Sequence, residues 1–267
     1  MMPPDHSLPS PPLDVTVRGS GPGLLLAHGA GGSIASNFGH VLGDLAEHHT
    51  LVGPHYPGAG GSPVATEPLN LDDLADQLVA AAIGAGRESF AVLGESLGCA
   101  VAVRIASRHP ERVRALVLTA GFPVADPVLA LAARLIKSAA AAGRWDDVAR
   151  LAHLSCMSPT DLADVEPADL EAGVARTLAG IPPGMPDHFD LVSRVDVRAD
   201  LGKLSAPTLV IAPTGDRLVL PQSSHRLAAG IPDATLIELP GAAHILSEAD
   251  RATWLCHVRE FLATVPA

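Results

Sequence analysis

The chain has only three cysteines, Cys99, Cys156 and Cys256, in 267 residues. An odd number at wide spacing argues against a disulfide frame and against a zinc site. Reduced thiols and a cytoplasmic setting are the expectation. Aromatics are scarce too, with two Trp, one Tyr and five Phe. Leu, Val, Ile and Ala must therefore fill the core. Basic charge is outweighed: 18 Lys and Arg face 29 Asp and Glu, a formal net charge of −11. That excludes a nucleic-acid surface or an anionic-membrane surface as the main partner. No apolar run approaches the roughly 18 residues of a membrane span. No internal repeat, metal-ligand spacing or phosphate-binding G-K-[ST] occurs, so no metal or other cofactor is expected. The first twelve residues, MMPPDHSLPSPP, hold no apolar stretch of the kind a secretion signal needs and predict a flexible tail.

What is present centres on Phe90–Ser107, FAVLGESLGCAVAVRIAS. A short apolar run leads into Gly94-Glu95-Ser96-Leu97-Gly98. Apolar positions of helical character follow. This is strand, tight turn, helix, with Ser96 at the apex in the G-x-S-x-G pattern of a nucleophile elbow. Small residues at 94 and 98 are what a strained turn packed against its neighbours requires. The turn also sets the Leu97 N–H at a helix N-terminus, where an oxyanion can accept from it. The pentapeptide alone is weak in a chain with 25 Gly; its context carries the signal.

Buried strands are predicted at 24–27, 90–93 and 113–118, further strands at 50–54, 208–211 and 234–239, and an exposed or edge strand at 13–18. Helices are expected at 34–49, 69–85, after the elbow, at 221–230 and at 248–263. Such alternation implies a parallel sheet covered on both faces. From about 121 to 199 the rhythm stops. Helices are expected at 128–142, 144–154 and 169–179, with a Pro/Gly break at 181–185. The organisation predicted is a core of 13–121 and 200–267, with a helical cap over 122–199. The cap's Ala130, Leu131, Leu135, Ala139, Leu151 and Leu154, with few aromatics and few basic residues, suggest a roomy apolar pocket without an anion clamp.

Serine nucleophilic catalysis needs a hydroxyl, an imidazole to take its proton and a carboxylate to orient that imidazole. Ser96, Asp216 and His244 each follow a predicted parallel strand, so all three face one sheet edge. Asp126, after the 113–118 strand, is the rival acid. His28 reads as a loop-stabilising residue and His257 as helix packing. His55, Glu95 and His188 read as pocket-shaping or structural groups. Cys99 reads as a buried thiol.

The segments LLLAHGAGG (24–32), YPGAGGS (56–62), LGESLG (93–98), PTLVIAPTGDRLV (207–219) and LPGAAHILSEAD (239–250) resemble the α/β-hydrolase superfamily from Leu13 to Leu262. The resemblance implies an α/β-hydrolase fold with an inserted cap. It implies Ser96 as nucleophile, His244 as base, Asp216 as orienting acid, and the Ala30 and Leu97 N–H groups as an oxyanion hole. One departure stands out: His55 occupies a position where the family often has a structural Asp. The expected reaction is hydrolysis of a carboxylic ester or thioester through an acyl-enzyme. Its substrate would be a small molecule or a carrier-tethered acyl group with an apolar body. An acyltransferase, a C–C bond hydrolase and a non-catalytic small-ligand binder remain as alternatives.

Overall fold

The computed structural model describes residues 12–266. The tail expected over 1–12 lies, apart from Pro12, outside the described residues. In chain order the elements are β1 (Val15–Arg18), β2 (Gly23–Ala27), α1 (Ile34–Phe38), α2 (Leu42–Ala46), β3 (Thr50–Pro54), α3 (Leu71–Gly84), β4 (Phe90–Glu95), α4 (Leu97–Arg108) and β5 (Val113–Thr119). Six helices follow: α5 (Pro127–Ala141), α6 (Trp145–Cys156), α7 (Pro159–Ala163), α8 (Pro167–Gly180), α9 (Met185–Arg194) and α10 (Arg198–Leu201). The chain closes with β6 (Thr208–Pro213), α11 (Pro221–Gly230), β7 (Thr235–Leu239) and α12 (Glu248–Ala263).

The sheet has seven strands in the order β1-β3-β2-β4-β5-β6-β7. All neighbours are parallel except β1 with β3. The short apolar runs work by the strand period of two. Leu25 and Ala27 enter one core, with Val92, Leu116, Leu118 and Val210. Leu24 and Leu26 enter the other, with Leu93, Ala115, Val117 and Ile211. Both faces are therefore buried. From β2 the chain steps outward to β3 and then returns to the other side of β2 as β4. The loops after β2 and β4 diverge there, leaving a crevice at the carboxyl ends of the strands.

Helices α1 and α12 share a core: Ile34 and Phe38 pack with Trp254 and Val258. The Trp254 Nε1–H donates to Thr119 Oγ1 at 2.8 Å in that core and ties α12 to the end of β5. Between β5 and β6 the chain makes only helices. An isolated bridge joins Val124 to Asp196, and the Val197 N–H donates to the Pro123 carbonyl at 2.9 Å. These contacts close the excursion where it leaves the sheet and where it returns.

The elements differ from expectation at several places, among them the unexpected short helices α7 and α10. The single helix expected over 34–49 is two short ones, α1 and α2, interrupted at Gly39–Val41; glycine at that point weakens helix continuation. The Pro/Gly break at 181–185 leads straight into α9, which the sequence reading lacked. Its buried Met185, His188, Phe189 and Val192 follow the helical spacing i, i+3, i+4, i+7. A histidine on the apolar stripe hid that period. Pro186 sits in the first turn, where its missing N–H costs nothing.

Candidate active site

Ser96 stands between β4 and α4 with φ of 55° and ψ of −119°. A non-glycine residue rarely holds such a backbone, and it persists only where its surroundings force it. Here they do. A Cβ on Gly94 would lie 2.5 Å from the Gly98 carbonyl oxygen, and a Cβ on Gly98 only 1.9 Å from that of Ala27. The Ser96 N–H donates to Thr119 O at 3.0 Å, fixing the turn to β5.

Asp216 and His244 come from the loops after β6 and β7. The His244 Nδ1–H donates to Asp216 Oδ2 at 2.6 Å. The Asp216 side chain is fully buried. Its Oδ1 accepts from the Leu218 and Val219 N–H groups, both at 2.9 Å. Burial opposes a charged His244, but the Asp216 charge and hydrogen bond, with Glu95 nearby, outweigh it, so His244 is more basic than an ordinary histidine. Ser96 and His244 line one cavity of 630 Å³.

The rival acid is otherwise engaged. Asp126 Oδ1 caps α5 through the Val128 and Leu129 N–H groups, both at 2.9 Å. Its Oδ2 accepts from Ser223 Oγ at 2.8 Å. The Ala30 N–H and the Leu97 N–H find no acceptor among the described residues, and Ala30 lines the cavity.

Three loops converge beside Ala30, and histidines join them. The His28 ring stacks on Tyr56 with centroids 3.8 Å apart. Its Nδ1–H donates to Gly29 O at 2.8 Å, and its Nε2 accepts from the Tyr56 N–H at 3.0 Å. His188 on α9 accepts from the Gly31 N–H at Nδ1 (3.1 Å) and donates from Nε2 to Pro57 O (2.9 Å). Both rings are thus neutral tautomers with each nitrogen used. Burial pushes His28 well below the usual histidine range and His188 down to about 4. His188 ties the inserted helices to the loop that carries Ala30, a contact the sequence could not reveal. The loop around His55 is held from elsewhere: Asp14 Oδ2 accepts from the Gly61 N–H at 2.8 Å, and the Asp14 N–H donates to Ser62 Oγ at 2.9 Å. Asp14 supplies the carboxylate there.

The cavity's apolar wall comes from the inserted helices, through Leu129, Ile136, Met185, Phe189 and Val192. These are not the residues the composition pointed to. Leu131 and Leu135 are 50% exposed and Leu154 is 58% exposed. Glu95 lines the cavity as well; burial pushes its carboxyl up to about 7 against the hydrogen bond from Asn37. Cys99 is buried, its thiol within 3.2 Å of the Gly94 and Thr119 carbonyls. Cys156 also touches the cavity, and burial pushes its thiol up to about 12, which makes it a poor nucleophile. His257 lies on α12, 3.9 Å from Glu260. Among the described residues no group of His, Cys, Asp and Glu could hold a metal ion, and no helix is long and apolar enough to cross a membrane.

The chain belongs to the family described as alpha/beta hydrolase fold, whose pattern matches residues 22–250. It is 29% identical over 255 residues to the pyrrolizixenacetamide deacetylase of Xenorhabdus hominickii, covering 92% of each chain. It is 31% identical over 235 residues to the pimeloyl-[acyl-carrier protein] methyl ester esterase of Neisseria meningitidis, covering 84% of this chain and 70% of that one. The solved structure of MGS-M2, an alpha/beta hydrolase from a Medee basin deep-sea metagenome library, superposes with a TM-score of 0.86 at 18% identity, over 96% of this chain and 95% of that one. The deacetylase and the esterase are hydrolases by name, and the sheet of this chain is that of the alpha/beta hydrolase fold.

Neutral, buried His188 makes acid stability testable. In the unfolded chain a histidine takes its proton near pH 6.5, whereas folded His188 takes it near 4. The unfolded state therefore binds more protons between these values, and stability falls as pH drops from 6.5 to 4, by about 3 kcal/mol from this residue. Glu95, raised to about 7, has the opposite sign but is common to wild type and variant. Urea unfolding at pH 7 and pH 4 is expected to show a larger acid loss for wild type than for His188→Asn. Equal losses contradict the burial of a neutral ring.

Proposed function

We propose that the chain is a serine-dependent acyl hydrolase acting on an ester or thioester with an apolar acyl body. Ser96 Oγ attacks the acyl carbonyl, and His244 Nε2 accepts the hydroxyl proton. Asp216 keeps the other ring nitrogen protonated and stabilises the imidazolium that forms. The Ala30 and Leu97 N–H groups donate to the oxyanion. Collapse of the tetrahedral intermediate expels the leaving group, protonated by His244. Water, activated by the same imidazole, then releases the acid from the acyl-enzyme. The observation that carries this reading is the 2.6 Å bond between His244 Nδ1 and the buried Asp216 carboxylate, on the cavity Ser96 also lines. Helices α5–α10 act as the cap that walls this cavity and excludes water.

Two of the relatives' names support acyl chemistry: one is a deacetylase, the other a methyl ester esterase for a carrier-bound acyl group. A carrier-tethered substrate fits the same cavity, with the apolar chain against α5 and α9. The three free cysteines are in keeping with a reducing, cytoplasmic setting.

Ser96→Ala is expected to abolish hydrolysis of p-nitrophenyl esters while leaving urea unfolding close to wild type. Asp216→Asn is expected to lower kcat by on the order of 10⁴, because the imidazole then takes the wrong tautomer. Asp126→Asn acts only through α5 and its contact to Ser223, and costs far less activity. Steady-state rates for the three variants check this, and the reverse ranking of the two Asp variants refutes the assignment.

The apolar wall makes a second expectation. Hexanoyl and octanoyl p-nitrophenyl esters are expected to show higher kcat/KM than the acetyl ester, by roughly tenfold for two or more buried methylenes. A clear preference for acetyl contradicts an apolar acyl body in this cavity.

A further inference from the structure

The cavity has an apolar wall and a polar wall, with Ser155, Arg176 and Thr177 of the inserted helices as further polar lining. Its apolar wall belongs to the core on the α4 face of the sheet, which takes in Leu129, Ile136, Met185, Phe189, Val192 and Leu218. Its polar wall lies over the opposite face, where α1 and α12 pack together. Ser36 and Asn37 of α1, His40 just beyond it, Glu95 at the end of β4, and Arg251 of α12 line that side.

Several groups in the polar wall have unused hydrogen-bonding capacity. Asn37 Nδ2 donates to Glu95 Oε2 at 2.9 Å, and Glu95 Oε1 accepts from no described residue. The Arg251 guanidinium forms no ion pair or hydrogen bond with a described residue. Arg104, Arg108, Arg112, Arg150, Arg194, Arg198 and Arg259 each face a carboxylate within 4.0 Å, whereas Arg251 shares with Arg176, which lines the same cavity, a guanidinium without one among the described residues. The His40 ring likewise has no partner among the described residues. Arg251 sits near enough to depress the proton affinity of both Glu95 and His40, yet it does not close an ion pair with Glu95.

The charges decide what such a wall accepts. A carboxylate brought to Arg251 would also meet the Glu95 carboxyl. An ammonium brought to Glu95 would also meet the guanidinium. A neutral group with one N–H donor and one carbonyl acceptor satisfies both and meets neither penalty. Glu95 adjoins Ser96 in the chain, so this wall flanks the reacting carbonyl. With the apolar wall taking the acyl chain, the polar wall is left for the part that departs.

We propose that Glu95 and Arg251, flanked by Asn37 and His40, form a leaving-group subsite for a neutral amide. This rests on Ser96 being the acylated residue. The group released is then an alcohol or thiol that carries a neutral amide. Glu95 accepts the amide N–H, and Arg251 donates to the amide carbonyl.

Two hexanoyl esters test this, one of N-acetylethanolamine and one of 1-pentanol. They share the acyl group and nearly the same length, and differ in the amide. Wild type is expected to favour the amide ester by about tenfold in kcat/KM, the scale of one charge-assisted hydrogen bond. Arg251→Leu is expected to bring that ratio to within twofold of one, and Arg251→Lys to retain part of the preference. The half-exposed position of Arg251 on α12 lets both variants fold, which their thermal unfolding verifies. A wild-type ratio near one overturns the subsite, as does a ratio unchanged in Arg251→Leu. Labelling of wild type by a fluorophosphonate separates the two levels of the account. Labelling at Ser96 without preference for the amide ester removes only the subsite. Absence of both labelling and turnover removes the serine mechanism beneath it.

Discussion

Helix α4 approaches β2 so closely that no side chain fits between them, and the backbone geometry at Ser96 depends on that approach. The Gly98 Cα lies against the Ala27 carbonyl, and Gly94 lies against Gly98. With both positions reduced to glycine, the turn between them can tighten until Ser96 is held at positive φ. The strain is offset by the packing of α4, whose Leu97, Cys99, Ala100, Val101 and Val103 are wholly buried. A side chain at either glycine would push the helix off the sheet and relax the serine. As at the start of any α-helix, the Leu97 N–H of α4 has no intrahelical acceptor.

Topology then supplies the rest. The strand order reverses between β2 and β4, so the loop bearing Ala30 and the turn bearing Ser96 part at the crevice. Parallel β6 and β7 deliver Asp216 and His244 to the same edge. The helices between β5 and β6 cover it, and α9 locks down through His188, bonded to Gly31 and Pro57. One ring thus joins the covering helices to two loops of the sheet. The glycines beneath it leave room for that contact: a Cβ on Gly31 would meet Met185, and one on Gly58 would meet Gly184.

Legibility in the sequence followed the range of the interactions. The strands were readable because Leu24–Ala27, Phe90–Leu93 and Leu209–Ala212 are short apolar runs, and such runs make buried strands whatever surrounds them. The elbow was readable because its sterics are local. That Ser96, Asp216 and His244 lie at one edge of the sheet was readable because each follows a parallel strand. What escaped depends on distant residues. Helix α9 was hidden by His188, polar in sequence but satisfied in space by partners more than 130 residues away. The cavity-facing side of α5 could not be told from its outer side, so Leu131 and Leu135 were read as lining a pocket that Leu129 and Ile136 line. Arg251 gave no signal, because a lone Arg on an amphipathic helix reads as solvated until the cavity beside it is known.

The central claim is that the acyl group passes through Ser96. Acid quenching of the enzyme during turnover of a p-nitrophenyl hexanoate, followed by peptide mass analysis, tests it most directly. The account predicts a hexanoyl mass increment on the peptide that contains Ser96, formed in a burst and lost as substrate runs out. An increment on another residue, or turnover with no acylated peptide at any time, would contradict it.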